Sequence, residues 1–348
     1  MNLKRLASIF FTLILMVCLS SPAKACIIFT TELEDGTILA GNNEDYMYSI
    51  NNYMVVTAPS ESSYGRICFY NLSYVQGGMN EHGLFYDGAS CPSSEVPHNS
   101  NKKQLDYNLG DIALSKCTSV EEVEKFFDKY NIPDSFCDHL LFSDSTGASA
   151  VFEWMEGKLH IIRKGQDENF QVITNYWLTD PTLGGYPCDR YNTAVELLQK
   201  QSLSIELCAT ILNATKQNWG EGGTLYSNIY NLSSKEVYVF SRGTMNKTCK
   251  IDLEKHFQSM EAGTQVSYDI SELSYDTQIT IGDLSKKNLQ ETDKIPTPEP
   301  DRSIETAVIS PAQGNAQSNN GFYWSVGIGI LSLIVFAIVK AVKRKNRS

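Results

Sequence analysis

Cys26 stands directly behind Ala23-Lys24-Ala25, whose small residues at −3 and −1 form the pattern after which a signal peptidase cuts. A cut there would leave Cys26 with a thiol and a free α-amine on one residue. A model α-amine titrates near 7.7–8.0, so at roughly neutral pH a useful fraction is uncharged. It can take the thiol proton, directly or through a water, which is nucleophilic catalysis by a residue serving as its own base. A buried structural thiol is the other reading. A lipid acceptor fits poorly, because that signal wants leucine or a similar residue at −3, where Ala23 stands, and Lys24 occupies −2.

The elements around Cys26 decide what it can meet. "CIIFTTEL" and "TILAGNNEDY" flank Glu34-Asp35-Gly36, and Asp-Gly between two apolar runs predicts a β-hairpin. Strand residues on either side of a tight turn pair across it, so the hairpin brings Asp45 back beside Cys26. Further strand-like runs are "NYMVVTAP", "GRICFYNLSYV", "GLFYDGA", "HLLFSDSTGASAVFEW", "KLHIIRKG", "FQVITNYW", "TLYSNIYNL" and "KEVYVFSRG". Helices are predicted over 119–131, where Ser119 and Glu122 form a capping box, and over 190–201 and 204–216, by apolar spacing. Strands at both ends with helices grouped between them predict an α+β layered domain over 26–283.

Both ends of the chain read differently. Lys4 and Arg5 followed by the apolar run Leu6–Leu19 make 1–25 a secretory signal peptide. From 284 to 320 the hydrophobic pattern stops and Pro, Ser, Asn and charge dominate, which predicts a disordered linker. Gly321–Val339 carries no charge, is long enough to span a bilayer, and opens on Phe322, Tyr323 and Trp324. Lys340, Lys343, Arg344, Lys345 and Arg347 follow it, so 340–348 is expected as a cytoplasmic tail and the domain as extracytoplasmic, on a single-pass cell-membrane protein. The formal net charge is −11; without the +7 of Lys4, Arg5 and the five tail residues, −18 remains, which argues against nucleic acid as a partner. Eight cysteines follow the leader, no CxxC occurs, and no metal-ligand spacing or phosphate-binding glycine loop is present. None of the five histidines lies in a recognisable Cys–His protease motif.

The stretch "CIIFTTELEDGTILAGNNEDY" resembles the start of the choloylglycine hydrolase and penicillin V acylase superfamily of N-terminal-nucleophile (Ntn) hydrolases, nearest its acyltransferase-like, linear amide C–N hydrolase branch. Its members begin the mature chain with Cys and reach a Gly-Arg/Asn-Asn-x-Asp-Trp/Tyr motif about twenty residues on, here Gly41 to Tyr46. The resemblance implies that the Asp45 carboxylate hydrogen-bonds and orients the Cys26 amine and thiol. "GGMNEHGLFYDGAS" (77–90) is similar to a Gly-Met-Asn-Glu-x-Gly-Leu segment and places Ser90 where bile-salt-type members carry an oxyanion asparagine. "VITNYW" (172–177) is similar to the Thr-Asn strand, which makes Asn175 the side-chain donor of the oxyanion hole. "CDRYNTAVELL" and "GTLYSNIYNLSSKEVYV" resemble the acyltransferase-like branch, with Thr224, Tyr226 and Ser227 near the site.

Two arginines of penicillin V acylases and bile salt hydrolases are missing by this reading. Asn42 replaces the one before Asn-x-Asp, and Asn228 aligns with the second, so bile-salt and penicillin V specificity do not carry over. Asn42, Ser90, Thr224 and Asn228 are the candidate substrate-binding residues. The fold implied is a four-layer αββα Ntn sandwich, followed by the linker and one C-terminal transmembrane helix. The function implied is cleavage of a linear, non-peptide N-acyl amide through an acyl-thioester on Cys26, with no cofactor and no metal. The expected partners are a small-molecule N-acyl amide and the membrane, with a homo-oligomer left open. The alternatives are a surface binding protein on an inactivated hydrolase fold, an acyltransferase using the same thioester, and a Cys–His peptidase.

Overall fold

The computed structural model describes residues 26–242 and 244–282. The expected signal peptide, linker, membrane helix and basic tail lie outside the described residues, as does Asp283. Among the described residues no helix is long and apolar enough to cross a membrane.

The predicted hairpin forms. β1 (Ile27–Glu32) and β2 (Ile38–Met47) pair antiparallel, Ile27 with Asn43 through Glu32 with Ile38. In the turn Asp35 Oδ1 accepts the Thr37 N–H at 2.9 Å, and Gly36 adopts φ +80°, a region a Cβ would penalise. The chain then forms β3 (Asn52–Thr57), β4 (Arg66–Asn71), β5 (Tyr74–Asn80) and β6 (Phe85–Ser90). A two-residue parallel pair, β7 (Lys103–Gln104) and β8 (Tyr130–Asn131), brackets helices α1 (Leu109–Leu114) and α2 (Val120–Phe127). β9 (Asp138–Ser143), β10 (Ser149–Met155), β11 (Lys158–Arg163) and β12 (Phe170–Ile173) precede helices α3 (Asp189–Lys200) and α4 (Ile205–Thr215). β13 (Gly222–Asn231), β14 (Glu236–Ser241), β15 (Lys247–Asp252), α5 (Leu253–Gln258), β16 (Gln265–Asp269) and β17 (Thr277–Gln278) complete the domain.

The strands make two sheets, in the orders β12-β1-β2-β13-β14-β15-β17 and β11-β10-β9-β6-β5-β4-β3-β16. Side chains alternate across each strand, and the alternation sorts the core into three slabs. Ile28, Ala40, Phe69, Phe85, Leu141 and Tyr230 fill the space between the sheets. Ile27, Phe29 and Leu39 point the other way, onto Leu198, Leu207 and Ile211 of α3 and α4. Tyr86, Phe142 and Phe152 meet Leu109, Val123 and Phe127 of α1 and α2 on the far side of the second sheet. Helix, sheet, sheet, helix is the expected αββα order.

Local differences have local causes. "GRICFYNLSYV" is two strands, because Leu72 turns the chain at φ +58°. Ser119 caps α2 by accepting the Glu122 N–H, while the Glu122 carboxylate reaches the Thr118 N–H instead of closing the box on Ser119. α1 and α5 have six residues each, too few to show a helical period in sequence.

Candidate active site

Cys26 opens β1, on a strand flanked by β12 and β2, and is 9% exposed. It belongs with Ile28 to the slab between the sheets. One step beyond the Ile27–Asn43 pair it faces Glu44, and Glu44 in turn is in register with Tyr226 on β13. Cys26 is a free thiol. Burial pushes the thiol well above the usual cysteine range; Glu44, then Asp45, push it further, and the Asp45 main-chain N–H opposes them.

Alternation sends Asn43 and Asp45 to the helix side of the same sheet. Asn43 accepts from Ser227 Oγ at 2.6 Å and donates to the Leu212 carbonyl at 3.0 Å and Thr215 Oγ1 at 3.1 Å, which ties α4 to the sheet. Asp45 Oδ1 accepts from Thr224 Oγ1 at 2.5 Å, and Thr224 Oγ1 accepts the Gln217 N–H at 2.9 Å. Asp45 Oδ2 is buried without a partner. Burial raises the Asp45 carboxyl to about 7, against the pull of Thr224 and of Arg190. Its contact with the thiol runs through the main-chain N–H, and its carboxylate keeps one oxygen unengaged.

Asn175 lies just past the end of β12. Its Nδ2 donates to the Ser90 carbonyl at 3.0 Å, and its Oδ1 accepts from Arg190 Nη2 at 3.3 Å. An amide nitrogen carries two hydrogens, so one remains for an oxyanion. Ser90 takes part through its main chain; its hydroxyl donates to Asp138 Oδ1 at 2.6 Å. Arg190, in the first turn of α3, also donates through Nη1 to the Cys26 carbonyl. It therefore links the Cys26 main chain to Asn175.

Asn228 is fully buried between the sheets in register with Asn42, its Nδ2 donating to Tyr230 Oη at 3.2 Å, and the guanidinium on the Cys26 carbonyl comes from Arg190 on a helix. Asn42 shares that interior row and lies one step further from Cys26 than Glu44. The structure thus gathers Cys26, Asp45, Asn175 and Thr224 around one strand end. It sets Asn42 and Asn228 deeper, and gives Ser90 a main-chain part.

Sequence reading missed Arg190, Glu44 and the pair His139–Glu153. His139 is wholly buried, its Nδ1 against Glu153 Oε1 at 2.9 Å and its Nε2 against the Thr174 carbonyl at 2.6 Å. Both partners accept, so both ring nitrogens carry hydrogen and His139 is an imidazolium. Burial opposes that charge, but Cys91 and Glu153 beside it hold the ring protonated well above the ordinary range. Glu153 also accepts the N–H groups of Leu178 at 2.7 Å and Thr179 at 2.9 Å. The pair therefore grips the chain on both sides of Asn175. The signal available for Arg190 was an arginine opening a helix fifteen residues after Asn175; His139 and Glu153 offered none.

Two β-sheets between helical layers, with a cysteine at the head of a central strand, are the layering of the Ntn-hydrolase fold. The chain belongs to the acyl-coenzyme A:6-aminopenicillanic acid acyl-transferase family, whose model matches residues 31–245, and with it to the choloylglycine hydrolase and penicillin V acylase superfamily of Ntn hydrolases. Among solved structures it is similar to penicillin V acylase from Agrobacterium tumefaciens, at 19% identity and a TM-score of 0.58 over 74% of this chain and 100% of that one. It is also similar to a variant of conjugated bile acid hydrolase from Clostridium perfringens, at 20% identity and a TM-score of 0.56 over 75% of this chain and 100% of that one. At these identities the likeness is one of fold. No curated protein matches the sequence.

Proposed function

We propose that the chain is a cysteine Ntn amidohydrolase that cleaves a linear, non-peptide N-acyl amide. The observation that carries this reading is the head of β1. Cys26 stands there with the partnerless Asp45 Oδ2 nearby, Arg190 on its carbonyl and Asn175 held by the same guanidinium. In the uncut chain the Cys26 nitrogen is a peptide amide and cannot act as a base. Cleavage of the Ala25–Cys26 bond makes it an amine, for which Asp45 Oδ2 is an acceptor in waiting. The new positive charge also offsets the carboxylates that hold the thiol protonated.

In the reaction the α-amine takes the thiol proton as Sγ bonds to the substrate carbonyl carbon. The negative charge moves to the former carbonyl oxygen, where the second Asn175 N–H and main-chain N–H groups stabilise it; one such donor is worth about 3–4 kcal/mol. The α-ammonium returns its proton to the leaving amine as the C–N bond breaks, leaving a thioester. Water, deprotonated by the same amine, attacks the thioester, releases the carboxylic acid and regenerates the thiol. The description of the matching family favours a second outcome of the same intermediate, transfer of the acyl group to an acceptor amine in place of water. The leader and the apolar segment 321–339 support export and anchoring, with the domain outside the cytoplasm.

Turnover of acyl p-nitroanilides by the processed protein, its Cys26→Ser form and its Cys26→Ala form tests this reading. Loss in the alanine variant is expected; an alanine variant with wild-type turnover would eliminate Cys26 as nucleophile.

A further inference from the structure

Next to Cys26 the slab between the sheets holds a cluster of polar side chains. Asn42 and Glu44 of β2, and Tyr226 and Asn228 of β13, enter it from the first sheet as two adjacent registered pairs. Asn71 of β4 and Asp87 of β6 face them from the second. Asn71 Nδ2 donates to Glu44 Oε1 at 2.7 Å. Seven polar atoms of this cluster have no partner: Asn42 Oδ1, Glu44 Oε2, Asn71 Oδ1, both Asp87 oxygens, Tyr226 Oη and Asn228 Oδ1. All six residues are more than nine-tenths buried. The Tyr226 ring stacks on Phe69 of the second sheet, centroids 5.6 Å apart. Gly77 is the register partner of Asp87, and a Cβ there would lie 2.1 Å from Asp87 Oδ2, so the carboxylate fills the space a side chain would take.

Six of those seven atoms are oxygens of acids or amides, which accept, and two of the residues are carboxylic acids. Buried polar groups are normally paired, and unpaired buried carboxylates are costly. When empty, the site keeps its acids protonated: burial raises Glu44 to about 8 and raises Asp87 strongly, and the charge of each neighbour adds to it. Arg190 pulls on Asp45, whereas no cation is among the influences on Glu44 and Asp87. What is missing is a compact group with several donors and a positive charge, and an ammonium has three N–H donors and no acceptor.

We propose that this cluster is the end of the acyl-binding site and receives an acyl chain that terminates in an ammonium group. The proposal rests on the amidohydrolase reading. The acyl side is chosen because the amine must depart while the thioester persists. The α-ammonium of processed Cys26 is a second cation nearby, and Asp45 Oδ2 stands ready for it.

Three chain-matched p-nitroanilides, ω-aminohexanoyl, hexanoyl and adipoyl, are compared on the processed protein and its Asp87→Asn variant. The wild type should prefer the aminohexanoyl substrate and disfavour the adipoyl one. The aminohexanoyl-to-hexanoyl ratio of kcat/KM should fall about tenfold or more in the variant. A fall of less than about threefold overturns the proposal, as does an equal loss on both substrates, which would make the cluster a support for Cys26 itself. Glu44→Gln serves if Asp87→Asn does not fold. Hexanoyl turnover that disappears in Cys26→Ala keeps the amidohydrolase reading even where the ratio fails. If no anilide is cleaved, that reading is at fault, and binding still tests the subsite. Diaminohexane, unlike hexanediol, should then raise the melting temperature of the wild type and not of Asp87→Asn; equal effects overturn the subsite.

Discussion

Replacing Glu153 with glutamine probes whether Asn175 works where the structure holds it. In the wild type Glu153 accepts from His139 Nδ1 at 2.9 Å and from the N–H groups of Leu178 and Thr179, while His139 Nε2 donates to the Thr174 carbonyl at 2.6 Å. The glutamine variant keeps the shape and one acceptor oxygen but removes the counter-charge of a fully buried imidazolium. Breaking a buried pair costs about 3–5 kcal/mol, a large part of the roughly 5–15 kcal/mol that stabilises a domain. The variant should therefore fold but melt early. His139 then loses its proton, and one ring nitrogen becomes an acceptor opposite another acceptor. The grip on residues 174–179 loosens, and part of the about 3–4 kcal/mol from the oxyanion donor is lost. Measured on acyl anilides at a temperature where both proteins are folded, kcat should fall by about 10–100-fold with KM little changed.

The pH dependence carries a sign. His139 is raised, so its stabilising charge is fully present below its unfolded value near 6.5 and is lost only as pH climbs through its much higher folded value. Glu153 is lowered: burial opposes this, but His139 outweighs it, so its contribution is present above its unfolded value near 4.3 and is lost as pH falls through the folded one. The wild-type pair therefore holds across the neutral range. The glutamine variant should lose activity, relative to wild type, as pH rises from about 5 to about 8. A folded variant with kcat within about twofold of wild type at both ends would refute the positioning role.

Other expectations follow from single contacts. Arg190→Lys should lower kcat/KM by about 10–100-fold, because an ammonium on a flexible stem cannot hold the Cys26 carbonyl and Asn175 Oδ1 together as a guanidinium does. Steady-state kinetics checks it. Ser90→Ala should change kcat/KM by less than about threefold, since Asn175 is bound by the Ser90 carbonyl and the hydroxyl serves Asp138. Glu44→Gln should stabilise the unprocessed protein as pH rises. The folded Glu44 carboxyl, at about 8, holds its proton more tightly than the unfolded one, so the wild type loses stability between about pH 4.5 and about pH 8. The difference should reach a few kcal/mol, at about 1.4 kcal/mol per unit, and urea unfolding at both pH values measures it.

Much of the fold was legible because its signals are local. Asp35-Gly36 specified the hairpin that returns Asp45, and Ser119 marked a helix start that the structure caps as expected. Asn175 was legible through its motif, although it stands beyond the strand rather than in it. What stayed hidden depends on contacts between distant residues. Arg190 meets Cys26 across 164 positions, Thr224 meets Asp45 across 179, and Glu44 meets Asn71 across two sheets. Nothing in the sequence sets His139 apart from the other four histidines. It is in the core, and only the two acceptors around its ring reveal its charge.

The central claim is that cutting the chain before Cys26 creates the catalytic base. Mass spectrometry of the N-terminal peptide of the protein, on the fraction that cleaves acyl anilides, tests it most directly. The account predicts an active species whose first residue is Cys26, with its α-amine unmodified. An active species that begins at any other residue, or whose Cys26 amine is acylated, would contradict it.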